Sequence, residues 1–337
     1  MSAGSSAREM PASAQVLQML AGKWVSRALS AAADLALADH LKDGPRTTAE
    51  LAAACGARER EVYRLLRALA SVGVFEERAP RQFALTPLAE PLRSDTPDSI
   101  RNMARFMAIP MTWRAWEPLT DSIRTGKTGM SQIGVPNPFD YLRDHPEESE
   151  IFNAAMTDFS RQAADAVVDA YDFSRFRKLV DVAGGHGALL KTILARNPGL
   201  SGVLFDMPHV VAGARAGLPA TCAAESGDFF QAVPAGADGY TLKHIVHDWD
   251  DEPAAAILRC CRKAIAPDGR LLVIEMVIPA GNEPHFGKLL DLEMLAIPGG
   301  LERTEQEFRQ LFATAGFELT AVIPTKSPVS VIEGRPV

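Results

Sequence analysis

In the second half of the chain, a short apolar run leads directly into a glycine-rich turn and an apolar helix. Residues 178–182 read KLVDV, residues 183–187 read AGGHG, and an apolar helical pattern follows from residue 188. A buried strand, a tight turn and a helix in this order form the first unit of alternating α/β sheets, and such a turn lets a nucleotide-type ligand approach the backbone closely. Tight packing of strand against helix would give the same pattern, so the turn alone does not establish a ligand site.

Strand and helix patterns alternate from this unit to the end of the chain. Strands are predicted at 178–183, 201–206, 237–243, 270–276, 316–323 and near 328–334, and helices at 187–196, 208–216, 252–265 and 304–315. This alternation predicts an α/β fold over residues 173–337, with a doubly wound, Rossmann-like sheet and helices on both faces.

The first hundred residues follow a different pattern. Residues 1–13 are small and polar, which predicts a disordered tail, and residues 14–42 carry a wide apolar stripe at helical spacing. A helix that is apolar on more than one side needs a partner besides its own domain. Residues 47–56 read as a short capped helix, 58–72 as a second helix, and 74–77 with 82–86 as a hairpin. Together they predict a mostly helical winged-helix domain over residues 14–100.

Winged helices often bind DNA, but the charges here favour a protein partner. Residues 46–94 hold eight arginines and six glutamates, an excess of only two positive charges, and the second helix begins Arg58-Glu59-Arg60-Glu61. Those acids would face the phosphates of DNA, which disfavours DNA binding.

Residues 101–172 are predicted to be a helical connector rich in methionine and tryptophan. They form either an apolar contact between domains or the wall of a pocket for a flat aromatic ligand.

The composition limits which classes of protein and which kinds of partner the chain can represent. The 337 residues suggest two domains, and with 47% hydrophobic and 23% charged residues the chain is neither disordered nor fibrous. The net charge of −7 argues against nucleic acid or a membrane surface as partner. Since no apolar run reaches about 18 residues and the first residues lack a basic start followed by an apolar block, we expect neither a transmembrane helix nor a secretory signal. The four cysteines fit no zinc spacing, so we expect reduced thiols, no metal and a cytoplasmic location.

Polar residues follow several of the predicted strands. Asp206 ends the second strand, about 20 residues after the glycine turn, where an acid can accept hydrogen bonds from both ribose hydroxyls. No Lys or Arg follows it to bind phosphate, which favours a nucleoside. Asp228 and Phe229 could hold an adenine. Asp250 and its two acidic neighbours are explained by helix capping, whereas His247, at the carboxyl end of a strand, is not.

From about residue 15 to residue 335, the sequence resembles the plant-type small-molecule O-methyltransferases, the caffeate and hydroxyindole O-methyltransferase-like family. The resemblance rests on motifs in the family's order: FNAAM at 152–156, DVAGGHG at 181–187, FDMPHV at 205–210, GDFF at 227–230, LK at 242–243, HDW at 247–249 and GGLERT at 299–304. It implies S-adenosylmethionine as cofactor, S-adenosylhomocysteine as product, an aromatic small-molecule acceptor, and a homodimer whose winged-helix domain roofs the partner's active site.

The resemblance also implies roles for individual residues. His247 matches the catalytic base, with Glu275 and Glu302 as the acids that flank it. The cofactor-binding positions are Ser160, Asp181, Gly184, Gly185, Gly187, Asp206, Met207, Gly227, Asp228, Phe229 and Lys243. The substrate-pocket positions are Phe152, Met156, Phe159, His244, Asp291 and Met294.

Three residues depart from the family pattern, and three alternatives stay open. Ala183 replaces the first glycine of the turn, His244 replaces an aromatic residue, and Glu293 replaces an apolar one.

A phenol has a pKa near 10, so its methylation at pH 7 needs a base, and histidine suits that role. The alternatives are N- or C-methylation on the same fold, a non-methylating hydroxylase or decarboxylase, and a ligand-sensing transcription regulator. Neither the acceptor nor the methylated position follows from the sequence.

Overall fold

The computed structural model describes residues 10–337 and divides the chain into two compact units, residues up to 109 and residues 110–337. Most of the expected disordered tail, residues 1–9, lies outside the described residues, and the first helix begins at Ala12. Among the described residues, no helix is long and apolar enough to cross a membrane.

The first unit is mostly helical with one small sheet. Its helices are α1 (Ala12–Leu20), α2 (Gly22–Asp34), α3 (Leu37–His40), α4 (Thr48–Cys55), α5 (Glu59–Ala70) and α6 (Arg101–Phe106). Its strands, β1 (Arg46–Thr47), β2 (Phe75–Ala79) and β3 (Gln82–Leu85), form an antiparallel sheet in the order β1-β3-β2. Helix α4, helix α5 and the β2–β3 hairpin give the predicted winged helix.

Local sequence explains how these elements begin and end. The predicted capping box is present at α4, where Thr47 and Glu50 bond each other's backbone, and Gly56 ends the helix with a φ of 65°. The helical pattern over 14–42 divides into three helices, and the second break falls at Ala36, which has a φ of 50°. Helix α1 contains no buried residue, and the apolar side chains of Val16, Leu17, Met19, Leu20 and Trp24 are exposed.

The second unit combines helices with a seven-stranded sheet. Its helices are α7 (Pro110–Ala115), α8 (Leu119–Thr125), α9 (Gly129–Gln132), α10 (Pro138–Asp144), α11 (Pro146–Ala170), α12 (Ala188–Arg196), α13 (Pro208–Ala214), α14 (Asp251–Ala264), α15 (Phe286–Ala296) and α16 (Glu305–Thr314). Its strands are β4 (Lys178–Val182), β5 (Ser201–Asp206), β6 (Cys222–Ser226), β7 (Gly239–Lys243), β8 (Arg270–Glu275), β9 (Phe317–Pro324) and β10 (Ser330–Pro336).

The strand order of the large sheet is β6-β5-β4-β7-β8-β10-β9. The first five strands are parallel, and β10 and β9 are added antiparallel at one edge. Two apolar clusters cover the sheet: one contains Val180, Tyr240 and Phe312, the other Leu179, Ile193 and Ile274. The predicted doubly wound α/β fold is confirmed, while strand β6 was not predicted. Since β5 and β7 lie on opposite sides of β4, the chain changes direction there, and ligands bind at such a point.

Candidate active site

The glycine turn after β4 lies at this change of direction, and its backbone is left-handed at three positions. Ala183, Gly185 and Gly187 have φ values of 54°, 60° and 76°. Ala183 therefore adopts a conformation in which glycine is favoured. A Cβ on Gly184 would lie 2.6 Å from Leu204 Cδ1 and would overlap the Asp181 carboxylate, whereas a Cβ on Gly185 would meet nothing within 4 Å. The turn is thus tightly packed at Gly184 and open at Gly185.

Asp206, at the end of β5, is tied to this turn. Its Oδ2 accepts a hydrogen bond from the Gly185 amide at 2.8 Å, and its Oδ1 accepts one from the Met207 amide at 2.7 Å. Burial raises the pKa of Asp206, and these backbone hydrogen bonds limit the rise. The carboxylate is held rigidly beside the open part of the turn, with Met207 exposed next to it.

Asp181, Thr241, Lys243 and Ser160 form a second polar group beside the turn. Asp181 Oδ1 accepts a hydrogen bond from Thr241 Oγ1 at 2.7 Å, and Lys243 Nζ donates to Ser160 Oγ at 2.8 Å. Burial raises the pKa of Asp181 to about 6 and lowers that of Lys243 to about 8. Asp181 Oδ2 is buried and has no hydrogen-bond partner among residues 10–337. A buried carboxylate oxygen without a partner is uncommon in folded proteins.

The loop after β6 carries Asp228, Phe229 and Phe230, and Trp249 from the loop after β7 packs against the two phenylalanines. The Gly227 amide donates to the Asp206 carbonyl at 3.1 Å, and the Phe230 amide donates to Asp228 Oδ1 at 2.9 Å. The Trp249 ring lies edge-on to Phe229 at 6.2 Å and to Phe230 at 4.8 Å. Asp228 and Phe229 are thereby fixed close to Asp206.

His247 lies beyond β7, in a single 3-10 turn formed by residues 246–248, and three carboxylates surround it. Its Nδ1 is 2.7 Å from Glu302 Oε1, and its backbone amide donates to Glu275 Oε1 at 3.0 Å. Its Nε2 is 3.6 Å from Asp248 Oδ1. His247, Glu275 and Glu302 are all buried. The glutamate on Nδ1 fixes the orientation of the ring and leaves Nε2 to face another group.

These carboxylates decide the basicity of the histidine. Burial lowers the pKa of His247, but the charge of Asp248 and the hydrogen bond to Glu302, together with the charges of both glutamates, outweigh burial and raise the pKa to about 9. Burial raises the pKa of Glu275 to about 7 and that of Asp248 to about 6. His247 is therefore a stronger base than an ordinary histidine.

A buried arginine holds the loop that carries His247. The Arg303 guanidinium donates to the carbonyls of Val246 and Trp249 at 3.2 and 3.0 Å, and it pairs with Asp251 at 2.9 Å. Gly300 packs against the same loop, and a Cβ there would overlap the His247 carbonyl oxygen. The 299–304 segment thus contributes both Glu302 and the backbone contacts that position the histidine.

Helices α11 and α15 supply the predicted pocket residues. Phe152, Met156 and Phe159 recur at a spacing that puts them on one face of α11. On α15, Asp291 Oδ1 accepts a hydrogen bond from the Glu302 amide at 2.8 Å, and the buried Met294 lies one turn further on. Glu293 accepts a hydrogen bond from the Trp116 indole, and burial raises its pKa.

His244 connects the pocket to the histidine at the site. Its ring lies 5.1 Å from that of Phe159 and 5.1 Å from that of His247. Ring contacts and hydrogen bonds therefore join one group of residues: His244, Phe159, His247, Glu275, Glu302 and Asp291. Hydrogen bonds join Asp206 to Gly185, Met207 and Gly227 in another group. Phe152 and Met156 are placed at the site by helix α11, and Met294 by helix α15.

Asp248 and Arg303 were not assigned a role at the site from the sequence, and the contact between Trp116 and Glu293 was not predicted. Asp248 directly follows His247, and that adjacency is the signal that could have identified it. Arg303 directly follows Glu302, but a buried arginine cannot be recognised from its neighbours alone. The Trp116–Glu293 pair joins residues far apart in the chain. In the described part of the chain, no group of three or more His, Cys, Asp or Glu side chains could hold a metal ion.

Two models of known protein families match the chain. The O-methyltransferase dimerisation domain matches residues 17–95, and the O-methyltransferase domain matches residues 116–318.

Individual relatives cover nearly the full length. The chain is 45% identical to the phenazine O-methyltransferase PhzM of Lysobacter antibioticus, over 100% of both chains. It is 38% identical to the 8-amino-8-demethylriboflavin N,N-dimethyltransferase of Streptomyces davaonensis, over 92% of both chains. The crystal structure of human N-acetylserotonin methyltransferase in complex with SAM superimposes with a TM-score of 0.90 at 28% identity, covering 98% of this chain and 99% of that one.

Proposed function

Because the chain belongs to the O-methyltransferase family, we propose that it methylates a phenolic hydroxyl of an aromatic small molecule, with His247 as the general base. The observation that carries this proposal is the setting of His247. A glutamate holds Nδ1, two more carboxylates raise the basicity of the ring, and Nε2 is not engaged by Glu302. No role in packing requires a histidine of this kind.

The cofactor is S-adenosylmethionine, which supplies an activated methyl group for transfer to a nucleophilic oxygen. The residues beside the glycine turn fit it. Asp206 would bind the ribose, the open backbone at Gly185 leaves space for its methionine part, which would pass beside Gly187, and Asp228 with Phe229 would flank the adenine. The unpaired Asp181 Oδ2 is an acceptor suited to an ammonium group, and Lys243 and Ser160 lie close by.

The chemistry that this chain must supply is proton removal and positioning. A phenol has a pKa of about 10, so transfer of its proton to an ordinary histidine is uphill by about 5 kcal/mol. Transfer to the neutral form of His247 is less uphill, because the pKa of the ring is raised to about 9. The carboxylates therefore ease proton transfer to Nε2 from the phenol when the ring is neutral, and the share of neutral ring grows as the pH rises towards 9.

Glu302 and Glu275 act through His247 and do not touch the acceptor. Glu302 bonds Nδ1 and stabilises the imidazolium that forms, as the aspartate of a Ser-His-Asp triad does. Glu275 bonds the backbone amides of Ile245 and His247 and fixes the turn. Phe159 and Met156 would pack against the flat acceptor.

A second candidate is methylation of nitrogen, favoured by the identity of 38% to an N,N-dimethyltransferase. A neutral aromatic amine attacks with its lone pair and needs no prior deprotonation, so a strong base beside it is dispensable. The raised pKa of His247 therefore favours oxygen over nitrogen as the acceptor atom.

The decisive experiment is a screen of matched acceptors with S-adenosylmethionine, read by mass spectrometry for the gain of one methyl group. Each hydroxylated arene or heteroarene is paired with the amine that has nitrogen in the same place. We expect methylation of hydroxyl compounds and little or none of their amines. Methylation confined to the amines would establish the second candidate and overturn the first.

A further inference from the structure

His244 stands beside His247 in a backbone conformation that side chains rarely adopt. Its φ is 54°, and its amide still donates to the Ile274 carbonyl at 3.2 Å, so the residue is held in place by the sheet. Strained positions of this kind persist where the surrounding structure fixes them, and they concentrate at ligand sites. In this conformation the centre of the His244 ring lies 5.1 Å from that of Phe159 and 5.1 Å from that of His247.

The Nε2 atom of His244 is buried and has no hydrogen-bond partner among residues 10–337. Burial, followed by the positive charges of Lys243 and His247, puts the pKa of His244 well below its usual value, so the ring is neutral at pH 7. A neutral, buried and unpaired ring nitrogen costs folding free energy unless a ligand supplies its partner.

We propose that His244 determines acceptor specificity by hydrogen bonding a second polar group of the acceptor, at the ring position next to the hydroxyl that is methylated. The inference rests on the proposed function of the site. A fitting acceptor is a hydroxyarene with a heteroatom beside the hydroxyl, as in a hydroxylated nitrogen heterocycle or an ortho-oxygenated phenol. Phenylalanine at this position would pack equally well but could not pair with such a group.

The reacting oxygen itself is a poor partner for His244. Its negative charge falls as the bond to the methyl carbon forms, so a hydrogen bond donated to it is stronger before the transition state than in it. Such a bond would slow transfer. A neighbouring group that does not react keeps its hydrogen bond throughout, so it orients the acceptor at no cost in rate.

The test uses two probes of the same shape, 8-hydroxyquinoline and 1-naphthol, which differ by one ring nitrogen beside the hydroxyl. Binding to the protein saturated with S-adenosylhomocysteine is measured by calorimetry with EDTA present. The variants are His244→Phe, which removes the ring nitrogens, and His244→Gly, which suits the left-handed backbone if phenylalanine disturbs folding. Phe159→Leu is the matched control, since it trims the other ring beside His244.

Wild type should bind 8-hydroxyquinoline at least 10-fold more tightly than 1-naphthol. Both His244 variants should bring the two affinities within about threefold, while Phe159→Leu weakens both and keeps their ratio. The proposal is overturned if wild type shows no preference, if it binds neither probe, or if the variants keep the preference or weaken both probes equally. Loss of the preference in the variants, without methyl transfer to oxygen by wild type, would support His244 and count against the proposed function.

Discussion

At the scale of single residues, the site uses burial and charge to give similar side chains different properties. His247 and His244 lie with ring centres 5.1 Å apart. Carboxylates raise the pKa of His247 to about 9, whereas burial and nearby positive charge lower that of His244. One ring is therefore suited to accept a proton, and the other is suited to act as a neutral hydrogen-bonding group.

Asp206 gives a prediction at this scale. Asp206→Ala should weaken binding of S-adenosylhomocysteine by at least 100-fold, because the loss of two charge-assisted hydrogen bonds to ribose costs about 3 kcal/mol. Isothermal calorimetry measures the affinity, and circular dichroism checks the fold. Asp172→Ala, which removes an exposed acid that caps a 3-10 turn, is the control and should bind normally. An Asp206→Ala protein with wild-type affinity would remove Asp206 from the site.

Some residues of the site could be predicted from the sequence alone, and others could not. Asp206 follows from its position after a strand at the right distance from the glycine turn. The pairing of His247 with Glu302 spans 55 residues and could be inferred only from the family resemblance. The approach of Asp248 to Nε2 and the unpaired nitrogen of His244 depend on the path of one loop, which residue spacing does not determine.

At the scale of elements, the segment 299–304 positions the loop that carries His247. Gly300 packs against the backbone of residues 247–249, and Arg303 bonds the carbonyls of Val246 and Trp249. A buried guanidinium that satisfies several carbonyls replaces the regular hydrogen bonding that a loop lacks.

Gly300→Ala should therefore impair catalysis, although its new methyl group would contact the loop that carries His247 and no ligand. The added Cβ would lie 2.5 Å from the Trp249 amide nitrogen and would overlap the His247 carbonyl, so the loop must shift. A displacement of about 1 Å costs on the order of 100-fold in rate. Steady-state kinetics should show this loss in kcat, with affinity for S-adenosylhomocysteine nearly unchanged. Gly199→Ala, where a Cβ meets nothing within 4 Å, should behave as wild type, and equal kinetics for both variants would contradict the role of Gly300.

Most elements of the second unit were predictable because their apolar runs and turns agree with local preference. Strand β6 was missed because Cys222–Ser226 reads CAAES, without the β-branched or aromatic residues that mark a strand. Its parallel pairing with β5 makes it a strand, and pairing between distant segments cannot be inferred from local sequence. The apolar pattern over 14–42 could not show the breaks at Ala21 and Ala36, since alanine is a good helix former.

At the scale of the whole molecule, the exposed apolar side chains of α1 and α2 need a partner. Leu17, Leu20 and Trp24 are 65%, 66% and 68% exposed, and the dimerisation-domain match includes all three. Contiguous apolar surface of this kind marks an interaction site. A two-fold dimer with this surface at its interface is the simplest arrangement that would bury it.

Light scattering at micromolar concentration should give twice the mass of the chain. Introducing Leu20→Glu and Trp24→Glu together should give a monomer, because buried unpaired carboxylates would disfavour the interface. Val337→Glu, at a similarly exposed apolar residue of the other unit, should leave the dimer intact. A wild-type protein with the mass of one chain would contradict the prediction.

The central claim, that His247 takes the proton of a phenolic acceptor, is tested most directly by the pH dependence of His247→Gln. In wild type, His247 is protonated below about pH 9, so kcat/KM for a phenol should rise with pH up to that region. The variant should bind cofactor normally yet be slower by about 10²–10⁴-fold at pH 7. Its defect should shrink as pH approaches the pKa of the phenol, because solvent then supplies the phenolate. A variant that methylates the phenol at the wild-type rate at pH 7 would show that His247 is not the base.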